Sequence, residues 1–253
     1  MKQKSNELLH QKKYEGLIPK NNSTTVYHAI LTEFVQLVSQ NNPDIESILL
    51  VGSYARGEAS STSDVDLYCI FKEIDEKKLA IIGDIVKNVT QNDSRLEFNP
   101  QCFSINEFQS LPFSRFINPS IVYFESVHLF GSFPLKIPTK QDIEQSWKGI
   151  CAETLLSIRH YMSSNESSET INSKKITTFV LKPLIATLKL KQYLIQGYYP
   201  NTLVSLEPLL DEDYTILLKW SLSPELLQNE IKRDYVSVLT KLHQLAASIF
   251  NHE

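Results

Sequence analysis

The residues most suited to chemistry in this chain follow an apolar segment that ends at Val51. Gly52 and Ser53 come next, and Asp64 and Asp66 follow in the order Ser-Asp-Val-Asp-Leu, at the start of a second apolar segment. Because side chains alternate between the two faces of a strand, both carboxylates should lie on one face. Carboxylates that face a Gly-Ser turn are suited to holding Mg²⁺ on a nucleoside triphosphate, since Mg²⁺ prefers oxygen ligands and phosphate partners.

The turn itself has features that favour phosphate binding. Gly52 permits a close approach of the backbone. The hydroxyl of Ser53 and the amides that follow Gly52 could donate hydrogen bonds to phosphate oxygens at the start of a short helix, predicted through Tyr54 to Ala59.

This pattern resembles the signature of the nucleotidyltransferase superfamily that has the DNA polymerase beta-like fold. The matching residues are Gly52, Ser53, Arg56, Gly57, Ser63, Asp64 and Asp66. Members of that superfamily use a third carboxylate on a neighbouring strand. Glu97, in Arg-Leu-Glu-Phe-Asn, is the candidate, because its predicted strand follows the next helix as the family order requires.

The wider layout is similar to that of the bacterial aminoglycoside nucleotidyltransferases of the streptomycin/spectinomycin adenylyltransferase group. The resemblance implies Mg²⁺-dependent transfer of a nucleoside monophosphate, AMP from ATP, to a hydroxyl of a small molecule such as an aminoglycoside-type antibiotic. It implies two Mg²⁺ ions held by the catalytic residues Asp64, Asp66 and Glu97, with Glu97 as a metal ligand or as the base. The nucleotide-binding residues that it implies are Gly52, Ser53, Arg56 and Ser63, and Lys189 in the helical half is a further candidate for nucleotide binding.

Several of these residues have an ordinary structural alternative. Arg56 could pair with a carboxylate and fix the turn, or it could contact phosphate. Ser63 could be a turn residue or a ligand contact. Lys182, Lys189 and Lys191 could reach phosphates from the helical half, although lysines on a helix usually form a solvated face.

Other functions remain open at this point. One is a protein-modifying or toxin–antitoxin-type nucleotidyltransferase, and another is a non-catalytic nucleotide-binding module. The adjacent Arg159 and His160 lack the Arg-x4-6-His spacing of a HEPN ribonuclease, which disfavours a fusion to that domain. The net charge of −4 and the absence of a basic stripe argue against a nucleic-acid partner and a template-directed polymerase.

Patterning predicts an α/β half up to about Ile137, followed by an all-α helical bundle. The resemblance implies that the protein is of the α+β class, with an N-terminal mixed sheet flanked by helices. The 253 residues, 42% of them hydrophobic, suffice for one large domain or two small ones. We expect an N-terminal arm over 1–22, a nucleotidyltransferase domain over 23–137 and a helical domain over 138–253. The three cysteines, the lack of an apolar leader and the lack of a membrane-length apolar run predict a cytoplasmic protein with no membrane partner.

Periodicity and breaker residues predict the elements. In the first half these are a helix capped at Ser23 or Thr24 and stopped at Asn41-Asn42-Pro43, a buried strand over 48–51, a strand over 65–71 and a helix over 75–90. A strand over 95–103, interrupted at Asn99-Pro100, and an apolar stretch over 121–130 complete that half. In the second half these are a helix capped at Thr139, a helix over 174–196 disturbed at Pro183, a short helix over 211–221, and a last helix capped by Ser223 with Pro224 first.

Overall fold

The computed structural model describes residues 22–60, 63–91, 97–114, 116–164 and 172–251, with the side chains from 28 onward. The chain divides into two compact units, and the boundary lies between Ile137 and Pro138. The predicted N-terminal arm, apart from Asn22, and residues 165–171 lie outside the described residues. No helix within the described ranges is long and apolar enough to cross a membrane.

The first unit is a four-stranded mixed sheet with helices. Its elements are α1 (Asn22–Asn41), β1 (Ile45–Val51), α2 (Gly52–Arg56), β2 (Val65–Phe71), α3 (Glu76–Thr90), β3 (Phe98–Ser104), α4 (Ile105–Phe108), α5 (Leu111–Ser114), α6 (Pro119–Glu125) and β4 (Val127–Gly131). The strand order is β3-β2-β1-β4. β1 is antiparallel to both β2 and β4, whereas β2 and β3 are parallel. The mixed sheet predicted from the sequence is confirmed.

Each face of the sheet has its own apolar cluster. On one face Val65, Leu67 and Cys69 of β2 pack with α1 and α3. On the other face Leu49 and Ile70 pack with residues of β3 and the short helices that follow it. Since β1 lies in the middle of the sheet and contributes to both clusters, its continuous apolar run is explained by burial on both faces.

Two predictions about the strands and first helix were wrong. β3 was predicted to be interrupted at Asn99-Pro100, but both residues lie inside it, opposite Asp66 and Leu67. β3 is an edge strand, where proline's missing N–H costs no ladder hydrogen bond on the open side. The cap predicted at Ser23 or Thr24 lies inside α1, which begins at Asn22.

The second unit is helical, as predicted. Its α-helices are α7 (Lys140–Ser163), α8 (Ser173–Ile176), α9 (Lys182–Gln196), α10 (Leu203–Leu206), α11 (Thr215–Leu222) and α12 (Pro224–Asn251). Thr139 and Asp142 form the predicted capping box at the start of α7. The predicted disturbance at Pro183 appears as a π-helical turn, Thr177–Leu181, that leads into α9. Pro183 has no N–H to donate, and its ring crowds the preceding turn.

The last helix differs from its prediction by a break. The backbone of Asp234 leaves helical geometry (φ −161°, ψ 85°) inside α12. Its side-chain oxygen accepts a hydrogen bond from the N–H of Ser237 at 3.0 Å. Asp234 therefore caps the second half of α12, a role that aspartate performs well because its short side chain reaches the free amides of a helix start.

Candidate active site

The turn after β1 is built around a glycine that no other residue could replace without strain. Gly52 has φ +72°, in the left-handed region that favours glycine. A Cβ placed on Gly52 would lie 2.5 Å from Oδ2 of Asp66. The backbone of the turn and the Asp66 carboxylate are therefore in direct contact, and a side chain at position 52 would separate them.

The sheet register fixes the position of the two aspartates. Asp66 lies opposite Val51 on β1 and opposite Asn99 on β3. Asp64 immediately precedes β2 and is exposed, whereas Asp66 is half-buried. Because the intervening Val65 is fully buried against α1 and α3, alternation directs Asp64 and Asp66 to the opposite face.

The amide of Asn99 is a site feature that the sequence did not reveal. Its Nδ2 donates a hydrogen bond to Oδ1 of Asp66 at 3.2 Å. This bond leaves Oδ2 of Asp66 directed at the Gly52 turn. The only sequence signal for this role was that Asn99 is a polar residue within a predicted strand. Its partner, Asp66, depends on the register between two strands, which no local sequence pattern encodes.

Two tyrosines are close enough to the aspartates to interact with them electrostatically. Burial and the charge of Asp64 raise the pKa of Tyr54. Burial and the charge of Asp66 raise the pKa of Tyr68. Both phenols are therefore neutral at physiological pH, and they place apolar rings with one polar tip beside the carboxylates.

Glu97 lies next to the aspartates along the sheet but not within a strand. The expected strand starting at Arg95 was wrong at its start, because β3 begins at Phe98. Glu97 is exposed, and its carbonyl oxygen accepts a hydrogen bond from the N–H of Val65 at 2.8 Å. This backbone bond holds Glu97 beside Asp64, where the parallel strands β2 and β3 begin. The side chain of Glu97 is exposed to solvent.

Arg56 forms ion pairs inside the first unit. Its Nε donates to Oε2 of Glu58 at 2.8 Å, and its Nη1 donates to Oε2 of Glu125 on α6 at 2.9 Å. Burial lowers the pKa of Arg56, but Glu125 and Glu58 raise it by more. Of the two alternatives from the sequence, this geometry favours the carboxylate pair that fixes the turn.

The two serines of the pattern have different surroundings. The half-buried hydroxyl of Ser53 makes no hydrogen bond within the described residues, so it is available to a phosphate oxygen. Ser63 is bonded to Ser60 instead: its Oγ accepts from the N–H of Ser60 at 2.9 Å. A structural role accounts for Ser63, and its ligand contact stays a prediction.

Lys189 lies in the helical unit and is 3% exposed. Its Nζ donates to the carbonyl oxygen of Asn201 at 2.8 Å and lies 6.0 Å from the centre of the Tyr199 ring. These contacts tie α9 to the segment that follows it. The predicted nucleotide contact of Lys189 would require this buried ammonium group to interact with a phosphate in addition to the carbonyl oxygen of Asn201.

The donor chemistry at Asp64 and Asp66 fits magnesium. In the ranges that the structure describes, no group of three or more His, Cys, Asp or Glu side chains is arranged to hold a metal ion. Mg²⁺, however, is commonly bound through one or two carboxylates together with substrate phosphates. Asp64 and Asp66 supply that number, so a site completed by the triphosphate is consistent with the arrangement, and metal ligation by Glu97 stays a prediction.

Residues 31–110 match the family model of the nucleotidyltransferase domain. Over 61 residues the chain is 44% identical to a protein of Methanocaldococcus jannaschii that is named as a protein adenylyltransferase. That match covers 22% of this chain and 42% of the relative, so less than half of the relative's length is spanned.

Two solved structures are also similar. The spectinomycin adenyltransferase of Enterococcus faecialis, solved with ATP and spectinomycin, shares 11% identity at a TM-score of 0.44, with 81% of this chain and 99% of that chain covered. A toxin–antitoxin structure with AMP-PNP shares 16% identity at a TM-score of 0.28, with 51% and 92% covered. The segment that matches the nucleotidyltransferase domain model, from residue 31 to residue 110, holds the Gly52 turn, Asp64, Asp66 and Glu97.

Proposed function

We propose that this protein is a Mg²⁺-dependent adenylyltransferase that moves AMP from ATP to a hydroxyl group of an acceptor. The observation that carries the proposal is the contact between the Gly52 turn and the Asp66 carboxylate, with Asp64 two residues away on the same face. A phosphate-binding turn and metal-binding carboxylates are thereby joined within one segment that matches a nucleotidyltransferase domain.

The residues of the turn would bind and orient the triphosphate. The free hydroxyl of Ser53 donates to a phosphate oxygen, and the amides after Gly52 add further donors. Because α2 has only five residues, its dipole is small, and these individual hydrogen bonds account for most of the anion affinity. Mg²⁺ held by Asp64 and Asp66 would supply charge neutralisation of the triphosphate. Asn99 keeps Asp66 in place through its hydrogen bond to Oδ1.

The chemical step forms one bond and breaks one. The acceptor oxygen bonds to the α-phosphorus of ATP as the bond from that phosphorus to the bridging oxygen of pyrophosphate breaks. The proton of the acceptor hydroxyl passes to the carboxylate of Glu97, an exposed residue whose backbone is held next to Val65, and from there to solvent. A positioned base of this kind typically contributes about 10²- to 10⁴-fold in rate.

For the acceptor we propose a small molecule that carries a hydroxyl, of the aminoglycoside type. Support comes from the motif spacing over Gly52 to Leu67, which resembles that of the aminoglycoside nucleotidyltransferases. The net charge of −4 also favours a cationic acceptor over an anionic one.

A protein hydroxyl is the second candidate acceptor. The relative in Methanocaldococcus jannaschii is named as a protein adenylyltransferase, and the 44% identity over 61 residues is the highest among the similarities described above. The side-chain hydroxyls of tyrosine, serine and threonine offer the same attacking atom as a sugar hydroxyl, so the catalytic residues alone do not choose between the two acceptors.

One experiment separates these acceptors. The full chain is incubated with Mg²⁺ and ATP labelled at the α-phosphate, in parallel with a panel of aminoglycosides and with a protein extract. Label in a small-molecule product with the mass of AMP added supports the first proposal, and label in a protein band supports the second. Asp66→Asn serves as the inactive control. No labelled product with either acceptor, from a chain that binds Mg²⁺-ATP, would refute transfer and leave a nucleotide-binding module.

A further inference from the structure

The helical unit contains a cavity of about 650 Å³. Helices α7, α9 and α12 contribute to its wall, together with the segment from Leu210 to Tyr214. Residues that matter for its chemistry are Trp147, Lys148, Leu188, Lys191, Tyr214 and Ile249. This volume lies within the range of about 300–1,000 Å³ that is typical of small-molecule sites.

One residue in the wall of this cavity is a buried tryptophan. Trp147 lines the cavity and is 3% exposed. Its indole N–H is buried and has no hydrogen-bond partner among the described residues. Because this N–H is out of contact with the cavity space, Trp147 contributes its ring and not its N–H to the cavity wall.

Two ammonium groups converge on the same indole. Nζ of Lys191 lies 4.7 Å from the centre of the Trp147 ring, and Nζ of Lys148 lies 5.5 Å from it. Lys191 also donates to the carbonyl oxygen of Ile249 at 3.0 Å. Burial lowers the pKa of Lys191, Cys151 opposes this, and the nearby charge of Lys148 lowers it further. The two like charges repel each other at the cavity wall, and an anion there would relieve that repulsion.

We propose that this cavity binds a small organic anion, with one carboxylate or phosphate group on an apolar body. The acidic group would lie near Lys148 and Lys191. The apolar body would pack on Leu188, Leu194 and Ile249 in the wall. Glu144 and Asp211 also line the cavity but are exposed, and their negative charges disfavour ligands with several anionic groups. This site is separate from the proposed transfer reaction and does not depend on it.

The probe is 8-anilinonaphthalene-1-sulfonate, an apolar body with one anionic group, and its fluorescence is titrated against the full wild-type chain. We expect saturable binding that Lys148→Gln weakens by about threefold to tenfold, the loss of one nearby charge. Lys182→Gln is the matched control, because Lys182 is an exposed lysine at the start of α9 and does not line the cavity. The neutral analogue N-phenyl-1-naphthylamine should bind more weakly than the sulfonate.

Trp147 localises the binding. The chain has two tryptophans, so Trp220→Phe leaves Trp147 as the sole indole, and the bound probe should quench its emission by energy transfer. Absence of saturable binding to the wild-type chain would overturn the proposal. It would also be overturned if Lys148→Gln and Lys182→Gln bound the sulfonate equally, or if the neutral analogue bound as tightly as the sulfonate.

Discussion

At the residue scale, the two aspartates have separate surroundings but one expected role. Asp64→Asn and Asp66→Asn should each abolish AMP transfer, because each removes a negative charge needed to hold Mg²⁺ on the triphosphate. The fold should persist, since asparagine at 66 retains an oxygen that can accept from Asn99. Asp84→Asn, at an exposed site on α3, is the control that should keep activity. Labelled-product assays and circular dichroism test this, and wild-type turnover in either aspartate variant would remove the central claim.

Glu97 is tested through rate and affinity together. Glu97→Gln should slow transfer by about 10²- to 10⁴-fold, the range for a positioned proton acceptor, while the affinity for Mg²⁺-ATP changes little. Glu73→Gln, at another exposed site, should leave both unchanged. A rate within a few-fold of wild type would make Glu97 a structural residue of the loop before β3. A large loss of nucleotide affinity would instead indicate that Glu97 ligates the metal.

At this scale, the sequence predicted the features of the site that depend on residues close together along the chain. The Gly52 turn and the Asp64–Asp66 pair follow from residue types and a two-residue spacing. The hydrogen bond from Asn99 to Asp66 joins residues on parallel strands, and the ion pair from Arg56 joins it to Glu125, 69 positions away. Contacts of that kind depend on strand register and on packing, which no local pattern specifies.

At the element scale, the turn between β1 and α2 depends on a residue without a side chain. Gly52→Ala should destabilise the protein by at least about 1–2 kcal/mol, because the left-handed backbone conformation costs that much for an L-residue. Its Cβ would also displace Oδ2 of Asp66, so the affinity for Mg²⁺-ATP should fall. Thermal unfolding and nucleotide titration measure the two effects.

A second glycine provides the matched control for that substitution. Gly83 lies within α3 and a Cβ there would meet nothing within 4 Å. Gly83→Ala should stabilise the protein by up to about 1 kcal/mol through helix propensity and should not alter nucleotide binding. Equal stability and affinity of the two alanine variants would show that position 52 tolerates a side chain and that the contact with Asp66 is unimportant.

The ion pair between Arg56 and Glu125 connects α2 to α6. Arg56→Met should lower the free energy of unfolding by about 1–3 kcal/mol, because it removes charged hydrogen bonds to Glu58 and to the largely buried Glu125. The KM for ATP should change by no more than a few-fold. The double variant Arg56→Met/Glu125→Gln should recover part of the lost stability. A KM that rises strongly at unchanged stability would assign Arg56 to phosphate binding instead.

Elements with strong periodicity or clear caps were predictable from the sequence. The capping box at Thr139 and the disturbance at Pro183 follow from the side chains alone. The position of β3 was less predictable, since Pro100 reads as an interruption until β3 is known to be an edge strand. The break at Asp234 was missed because the apolar stripe continues across it, with Ile231 and Val238 both buried.

At the scale of the whole molecule, the chain consists of two compact units, and all residues proposed for nucleotide chemistry except Lys189 lie in the first. The helical unit carries 116 residues, from Pro138 to Glu253, and has its own apolar core and cavity. Apart from Lys189, none of its residues is proposed for nucleotide chemistry, so the unit is available for another task. We therefore expect it to provide recognition of the acceptor.

A truncated chain tests this division of work. Residues 1–137 should fold, because each face of the sheet has its own apolar cluster within that unit, and they should bind Mg²⁺-ATP through the Gly52 turn and the aspartates. They should fail to transfer AMP to the acceptor that the full chain modifies, because the recognising surface is missing. Asp66→Asn in the same truncated chain controls for specific nucleotide binding. If the truncated chain modified the acceptor at the full-length rate, acceptor recognition would belong to the sheet unit, and the helical unit would serve another purpose such as dimerisation.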